Sequence, residues 1–76
     1  MQKKIKNKTI KQISKLLKTS EKNLVKVDDF RKFKSWDSLV HLEILSTLEK
    51  NYGKKINKVS NLASITSIKK IISKLD

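Results

Sequence analysis

The chain contains no cysteine and no proline, and Gly53 is its only glycine. Without cysteine, neither a disulfide framework nor a thiolate metal site can stabilise the fold. The chain has 76 residues, which is enough for one domain at most, and we place that domain at 1–76. A chain this short buries only about 60 % of the surface that its unfolded form exposes. We therefore expect its core to come from helix packing alone.

Long hydrophobic runs are also missing. Met1 is followed by a lysine-rich stretch, and no apolar run of seven or more residues comes after it. The sequence therefore predicts neither a signal peptide nor a membrane span. We accordingly expect a cytoplasmic protein.

Carboxylates are scarce, since 19 basic residues stand against 7 acidic ones, for a net charge of +12. Such a balance points first to nucleic acid or another anionic surface. Arg31 is the only arginine, however, and proteins that read bases favour arginine because its planar fork pairs with guanine. The charge thus predicts a positive surface without sequence recognition. A basic helical nucleic-acid-binding module is kept as the alternative function, although we do not expect nucleic acid to be the partner.

The first helix is predicted from Lys3 to Lys18, where apolar residues recur on one side at about 100° per residue. These residues are Ile5, Ile10, Ile13, Leu16 and Leu17. The opposite side carries Lys4, Lys8, Lys11, Lys15 and Lys18. We interpret this lysine stripe as the solvated outer face of the helix, with binding of phosphate or lipid headgroups as the alternative.

The segment 19–35 is long for a connection and should carry a short element of its own. One helical turn is expected at residues 20–24. Three of the four aromatic residues lie in or just after this segment, namely Phe30, Phe33 and Trp36. We expect these rings to anchor the segment to the core, because base stacking would need exposed rings beside a basic groove.

A second helix is predicted from Ser38 to Tyr52, with Asp37 as its N-cap and Gly53 as a left-handed C-cap. The expected buried stripe is Leu42, Leu45, Leu48 and Tyr52, with Ile44 at its edge. A brief turn is expected around 59–63, and a last helix begins after Thr66 or Ser67 and runs through Ile68, Ile71, Ile72 and Leu75. No segment alternates strictly enough to predict a strand. The fold class is therefore all-α, a small bundle of three principal helices plus a short one, with a long first loop.

The residues needed for catalysis are few. His41 is the only histidine, the carboxylates form no metal or acid–base cluster, and no glycine-rich phosphate loop is present. His41 follows Ser38 by three residues, which suggests a serine activated by a base. His41 also belongs to the stripe that faces the core, so we favour a half-buried histidine that is satisfied by loop backbone. We expect neither an enzyme nor a metal site.

The sequence D-S-L at residues 37–39 opens the second helix and is followed by "LEILSTLEKNYG" and later by "ITSI". This pattern resembles the acyl carrier protein family, the phosphopantetheine-binding carrier domains, over about Ile10 to Leu75. The resemblance implies an acyl-carrier-like four-helix bundle in which Ser38 carries 4′-phosphopantetheine, transferred from coenzyme A by a separate phosphopantetheinyl transferase. The thiol of that arm would hold an acyl or aminoacyl thioester. The implied partners are the enzymes that load and transfer this cargo, and the carrier itself is expected to be a monomer.

The outer face of the second helix is the surface that the resemblance assigns to partner docking. Its predicted docking residues are Asp37, Leu39, Val40, Glu43, Thr47 and Lys50. Val40 and Lys50 replace residues that are commonly acidic in carriers of general fatty-acid synthesis. Because charge complementarity governs partner choice, we expect a specialised pathway, such as surface-polysaccharide modification or aminoacyl transfer. An adaptor that keeps the carrier fold without the modification is a third possibility.

Overall fold

The computed structural model describes the backbone of residues 2–75 and the side chains of residues 5–75. Within residues 2–75 the chain forms four α-helices and no strand, as the sequence predicts. The α-helices are α1 (Gln2–Leu16), α2 (Glu21–Lys26), α3 (Ser38–Tyr52) and α4 (Ile68–Leu75). Three 3₁₀ helices lie in the connections, at Phe30–Lys32, Gly53–Lys58 and Leu62–Ser64.

Helix α1 buries the side that the hydrophobic periodicity predicts. Its apolar positions face the core, and the lysines of the opposite stripe are exposed, apart from Lys4, whose side chain lies outside those described. Helix α1 is followed, two residues after Leu16, by a residue with positive φ, since Lys18 has φ +54°. Lys18 N–H donates to the carbonyl of Lys15 at 3.2 Å, and Thr19 N–H donates to that of Ser14 at 2.9 Å. This pair of bonds is a Schellman motif, with a lysine where glycine is usual.

The long connection 19–35 contains the predicted helical turn, which is the six-residue helix α2. Ser20 caps it, because its hydroxyl accepts the backbone N–H of Asn23 at 3.1 Å. Phe30 is buried, and Phe33 and Trp36 pack partly buried against the core, which confirms their predicted anchoring role. The backbone N–H of Phe30 also donates to the carbonyl of Thr66 at 2.7 Å, which ties this connection to the segment before α4.

Helix α3 has the predicted bounds, but its buried face is rotated from the predicted one. The prediction that Leu42 is buried is wrong, since 62 % of this residue is exposed, while Ile44 is fully buried rather than at the edge. The buried stripe runs through Ile44, Leu48 and Tyr52 at a spacing of four residues, with Leu45 beside it. Leu42 precedes Ile44 by two residues, so at about 100° per residue it points almost to the opposite side.

Gly53 ends α3 with φ +60° and ψ −129°. The positive φ confirms that glycine is needed, but the ψ value is not the left-handed helical one that was predicted. This conformation turns the chain into the 3₁₀ helix Gly53–Lys58, in a stretch where no helix was expected. The turn expected around 59–63 lies slightly later, at Leu62–Ser64.

Helix α1 packs against α3 and α2, and α2 packs against α4. The amide of Asn51 connects α3 to α1, donating to Thr9 Oγ1 at 2.7 Å and to Gln12 Oε1 at 2.8 Å. Ser67 is the residue positioned to cap α4, with its Oγ 3.4 Å from the backbone nitrogen of Lys70. None of the helices in residues 2–75 is both long and apolar enough to cross a bilayer.

Candidate functional site

Ser38 is the first residue of α3, and its side chain is exposed. It is placed there by Asp37, whose backbone is extended and whose carboxylate accepts the N–H of Val40 at 2.8 Å. The carbonyl of Asp37 accepts the N–H of His41 at 2.9 Å, which closes the first turn. The N-cap prediction is therefore confirmed. Ser38 thus lies at the positive end of a fifteen-residue helix. It is beside the first backbone N–H groups of that helix, which have no acceptor within the helix.

A cleft of about 530 Å³ opens directly beside Ser38. Its walls come from the end of the first connection, from α3 and from the segment around Leu62–Ser64, and most of its lining is apolar. The residues that line it include Arg31, Trp36, Ser38, His41, Leu42 and Ala63. Leu42 is one helical turn after Ser38, so the two side chains share a face of α3. The exposure of Leu42 is thus explained by its position on the rim of this cleft.

His41 forms one wall of the cleft and is held in place on three sides. Its Nε2 lies 3.0 Å from the carbonyl oxygen of Ala63. Its ring lies edge-on to Phe30 and Trp36, at centroid distances of 5.6 Å and 5.7 Å. No hydrogen bond joins His41 to Ser38 among the side chains of residues 5–75. The prediction of a half-buried histidine satisfied by loop backbone is therefore confirmed, and Ser38 has no adjacent base in this arrangement.

Trp36 contributes an unusual group to the same wall. Its Nε1 is buried and makes no hydrogen bond with any residue that the structure describes. A buried N–H donor without a partner is unfavourable by about 1–3 kcal/mol.

Arg31 provides the positive charge of the cleft. Its guanidinium forms a bidentate pair with Asp29, with Nη2 2.8 Å from Oδ2 and Nε 3.1 Å from Oδ1. The side-chain hydrogen bonds from Arg31, followed by its backbone N–H, hold the pKa of the Asp29 carboxyl well below its usual range. The Arg31 side chain is still about half exposed, and its charge is balanced by the Asp29 carboxylate.

The predicted docking residues divide into two groups. Leu39, Glu43 and Lys50 are exposed, as is Asp37, whose carboxylate also caps the helix. Val40 and Thr47 are half-buried instead, and Val40 packs against the core. The Thr47 hydroxyl donates to the carbonyl of Glu43 at 2.9 Å. The role of all six in docking stays a prediction.

The charge of the protein is unevenly distributed along the chain. Residues 28–49, which include Ser38 and most of α3, carry five carboxylates and three cations, a formal charge of −2. Residues 2–26 carry nine lysines against Glu21, and residues 50–75 carry seven lysines and no carboxylate. The net charge of +12 is therefore not a property of the segment around Ser38.

Sequence reasoning missed most of the cleft. Leu42 was assigned to the core, and Arg31 was noted only as the one arginine. The spacing of four residues between Ser38 and Leu42 was the available signal. The wall formed by Ala63, Ser64 and Thr66 had no such signal, because it reaches the site only through tertiary packing.

Within the part of the chain that the structure describes, no three histidine, cysteine or carboxylate side chains are grouped to hold a metal ion. Comparison of the chain with protein-family models, with curated proteins and with solved structures found no significant match. Function is therefore inferred from the residues of the site.

Proposed function

We propose that this protein is a carrier of the acyl carrier protein type, in which Ser38 is the attachment point for 4′-phosphopantetheine. The observation that carries the proposal is the position of Ser38, exposed as the first residue of α3 and bordering an apolar cleft. The D-S-L sequence and the acyl-carrier-like bundle implied by the resemblance support the same conclusion. When attached, the arm would supply the thiol that this cysteine-free chain lacks.

The residues around Ser38 are compatible with a phosphodiester at its hydroxyl. A helix N-terminus stabilises negative charge through its free N–H groups and its dipole. Arg31 lines the same cleft, although its charge is balanced by the bidentate pair with Asp29. Ser38 needs no base of its own, because a separate transferase would activate its hydroxyl.

The cleft would receive the apolar part of the arm or the beginning of its cargo. Leu42 and Leu45 provide aliphatic surface, and Trp36 adds an aromatic wall. His41 serves to hold the wall formed by Ala63 rather than to transfer protons.

The partners of such a carrier would be a phosphopantetheinyl transferase and the enzymes that load and discharge an acyl or aminoacyl group. They would approach Leu39, which is 65 % exposed, and Leu42 next to Ser38. The charge in this region is slightly negative rather than strongly cationic. A partner surface with an apolar centre and few charges is therefore the expected complement, which agrees with a specialised pathway rather than general fatty-acid synthesis.

Intact mass spectrometry tests the attachment. The purified chain is incubated with coenzyme A and a phosphopantetheinyl transferase of broad specificity, and we expect the mass of one phosphopantetheine group to be added. Ser38→Ala should remain unmodified, whereas Ser46→Ala, an exposed serine on the same helix, should be modified like wild type. An unmodified wild type, or equal modification of Ser38→Ala, would overturn the proposal.

Asp37 allows capping and recognition to be separated. Asp37→Ser keeps a good N-cap side chain but removes the charge, whereas Asp37→Ala removes both. We expect Asp37→Ser to retain the stability of the helix and to be modified more slowly by the transferase. Modification of Asp37→Ser at the wild-type rate would show that the carboxylate serves only as a cap.

A further inference from the structure

A second cleft, of about 440 Å³, lies where α1, α2 and α4 meet. Its apolar lining consists of Ile10, Val25, Ile68 and Ile72, and its charged lining consists of Lys6 and Lys69. No carboxylate lines it, and it shares no lining residue with the cleft beside Ser38. The protein thus has a separate aliphatic groove whose charged residues are lysines.

The lysines of this region are unpaired. Among side chains 5–75 the one ion pair joins Arg31 to Asp29, so neither Lys6 nor Lys69 has a carboxylate partner. Further exposed lysines lie on the same helices, at Lys22, Lys26, Lys70 and Lys74. Unpaired cations next to an apolar groove form a surface that can bind an anionic partner that also presents aliphatic groups.

Val25 adds an observation that concerns the partner directly. Among the side chains of residues 5–75 it is one of three large hydrophobic ones that are exposed, at 37 %, and the other two, Leu39 and Leu42, follow Ser38 on α3. Val25 lies on α2 between the lysines at 22 and 26. A hydrophobic residue flanked by lysines is suited to the boundary between lipid headgroups and acyl chains.

We propose that the surface formed by α1, α2 and α4 around this cleft docks on an anionic phospholipid bilayer. The lysine ammonium groups would contact lipid phosphates, while Val25 would contact the upper acyl chains. Nucleic acid fits this surface less well. The groove contains no aromatic ring for base stacking and no arginine for base recognition.

This docking is independent of the function proposed for Ser38, since the two clefts have no residue in common. It would hold the carrier at a membrane through one surface while the cleft beside Ser38 stays available to enzymes. Ser38→Ala should therefore bind vesicles as wild type does.

Vesicle sedimentation of the full chain tests the proposal. We expect binding to vesicles of phosphatidylcholine mixed with phosphatidylglycerol, and little binding to phosphatidylcholine alone. The double variant Lys6→Gln, Lys69→Gln should lower the partition coefficient about thirtyfold, because each lysine at an anionic surface contributes about fivefold. Val25→Asn should lower it further.

The matched control is Lys54→Gln, Lys55→Gln, which removes the same charge from exposed positions on the 3₁₀ helix Gly53–Lys58. We expect its partition coefficient to fall less than that of the Lys6→Gln, Lys69→Gln variant, because neither Lys54 nor Lys55 lines the cleft. Absence of vesicle binding, equal binding to both vesicle types, or equal losses in the two double variants would overturn the proposal. Retention on duplex DNA without vesicle binding would assign the surface to nucleic acid and would also overturn it.

Discussion

The Nε2 of His41 lies 3.0 Å from the carbonyl oxygen of Ala63, joining α3 to the 3₁₀ helix Leu62–Ser64 across twenty-two residues of chain. A carbonyl oxygen can only accept, so Nε2 carries the hydrogen in this bond. The only histidine of the chain therefore holds together the two walls of the cleft beside Ser38.

Replacing His41 tests this structural role. We expect His41→Ala to lower the free energy of unfolding by about 2 kcal/mol, because it removes the bond to Ala63 and the contacts with the neighbouring rings. His41→Gln retains a side-chain N–H and should recover part of the loss. Urea unfolding followed by circular dichroism measures both variants. Unfolding of His41→Ala at the wild-type urea concentration would show that the bond does not stabilise the fold.

The sequence predicted best the features that depend on neighbouring residues. The cap at Asp37 and the bounds of α3 follow from local rules, because a carboxylate before an amphipathic run satisfies the first N–H groups of a helix. The buried face of the same helix was predicted incorrectly. Which apolar side chains of α3 are buried is decided by packing against α1, and this left Leu42 exposed on the rim of the cleft.

The cleft itself could not be predicted for a related reason. It requires Ala63 and Thr66 to meet α3, and the bonds that bring them there, from His41 and from Phe30, connect residues far apart in sequence. Hydrophobic periodicity carries no information on such pairs. The position of Ser38 at the start of α3 was thus predicted by a local pattern, and its surroundings were not.

Lys18 offers a way to stabilise the protein. Its φ of +54° is unfavourable for any residue with a Cβ atom, so Lys18→Gly should raise the free energy of unfolding by about 1 kcal/mol. Lys11→Gly is the matched control, because it makes the same change at an exposed position inside α1. That variant should be destabilised by about 1 kcal/mol. A loss of stability in both variants would argue against the Schellman motif at the end of α1.

The ion pair between Asp29 and Arg31 predicts a specific pH dependence. The pKa of Asp29 is lowered in the folded state, mainly by side-chain hydrogen bonds from Arg31. A carboxyl with a lowered folded-state pKa contributes stability above its unfolded-state pKa, near 3.9 for aspartate, and this contribution is lost as the pH falls toward the folded-state pKa. Because the pair is exposed to solvent, the effect on stability should be small.

The titration of Asp29 can be followed directly by NMR of its side-chain carboxyl carbon. We expect the wild-type midpoint to lie below the usual aspartate range and Arg31→Gln to return it to that range. Arg31→Lys keeps the charge but cannot form the bidentate pair, so its midpoint should fall between the two. Identical midpoints in wild type and Arg31→Gln would show that the pair does not form in solution.

Trp36 provides a test of the unsatisfied donor in the wall of the cleft. Trp36→Phe keeps an aromatic ring and removes the buried N–H. Its free energy of unfolding should stay within about 1 kcal/mol of the wild-type value, because removing the unsatisfied donor offsets the loss of buried aromatic surface. Trp36→Ala removes the ring and should be destabilised by about 3 kcal/mol. Urea unfolding followed by circular dichroism suits both variants, because each lacks the only tryptophan. Equal destabilisation of the two variants would mean that the indole N–H has a partner that contributes to folding.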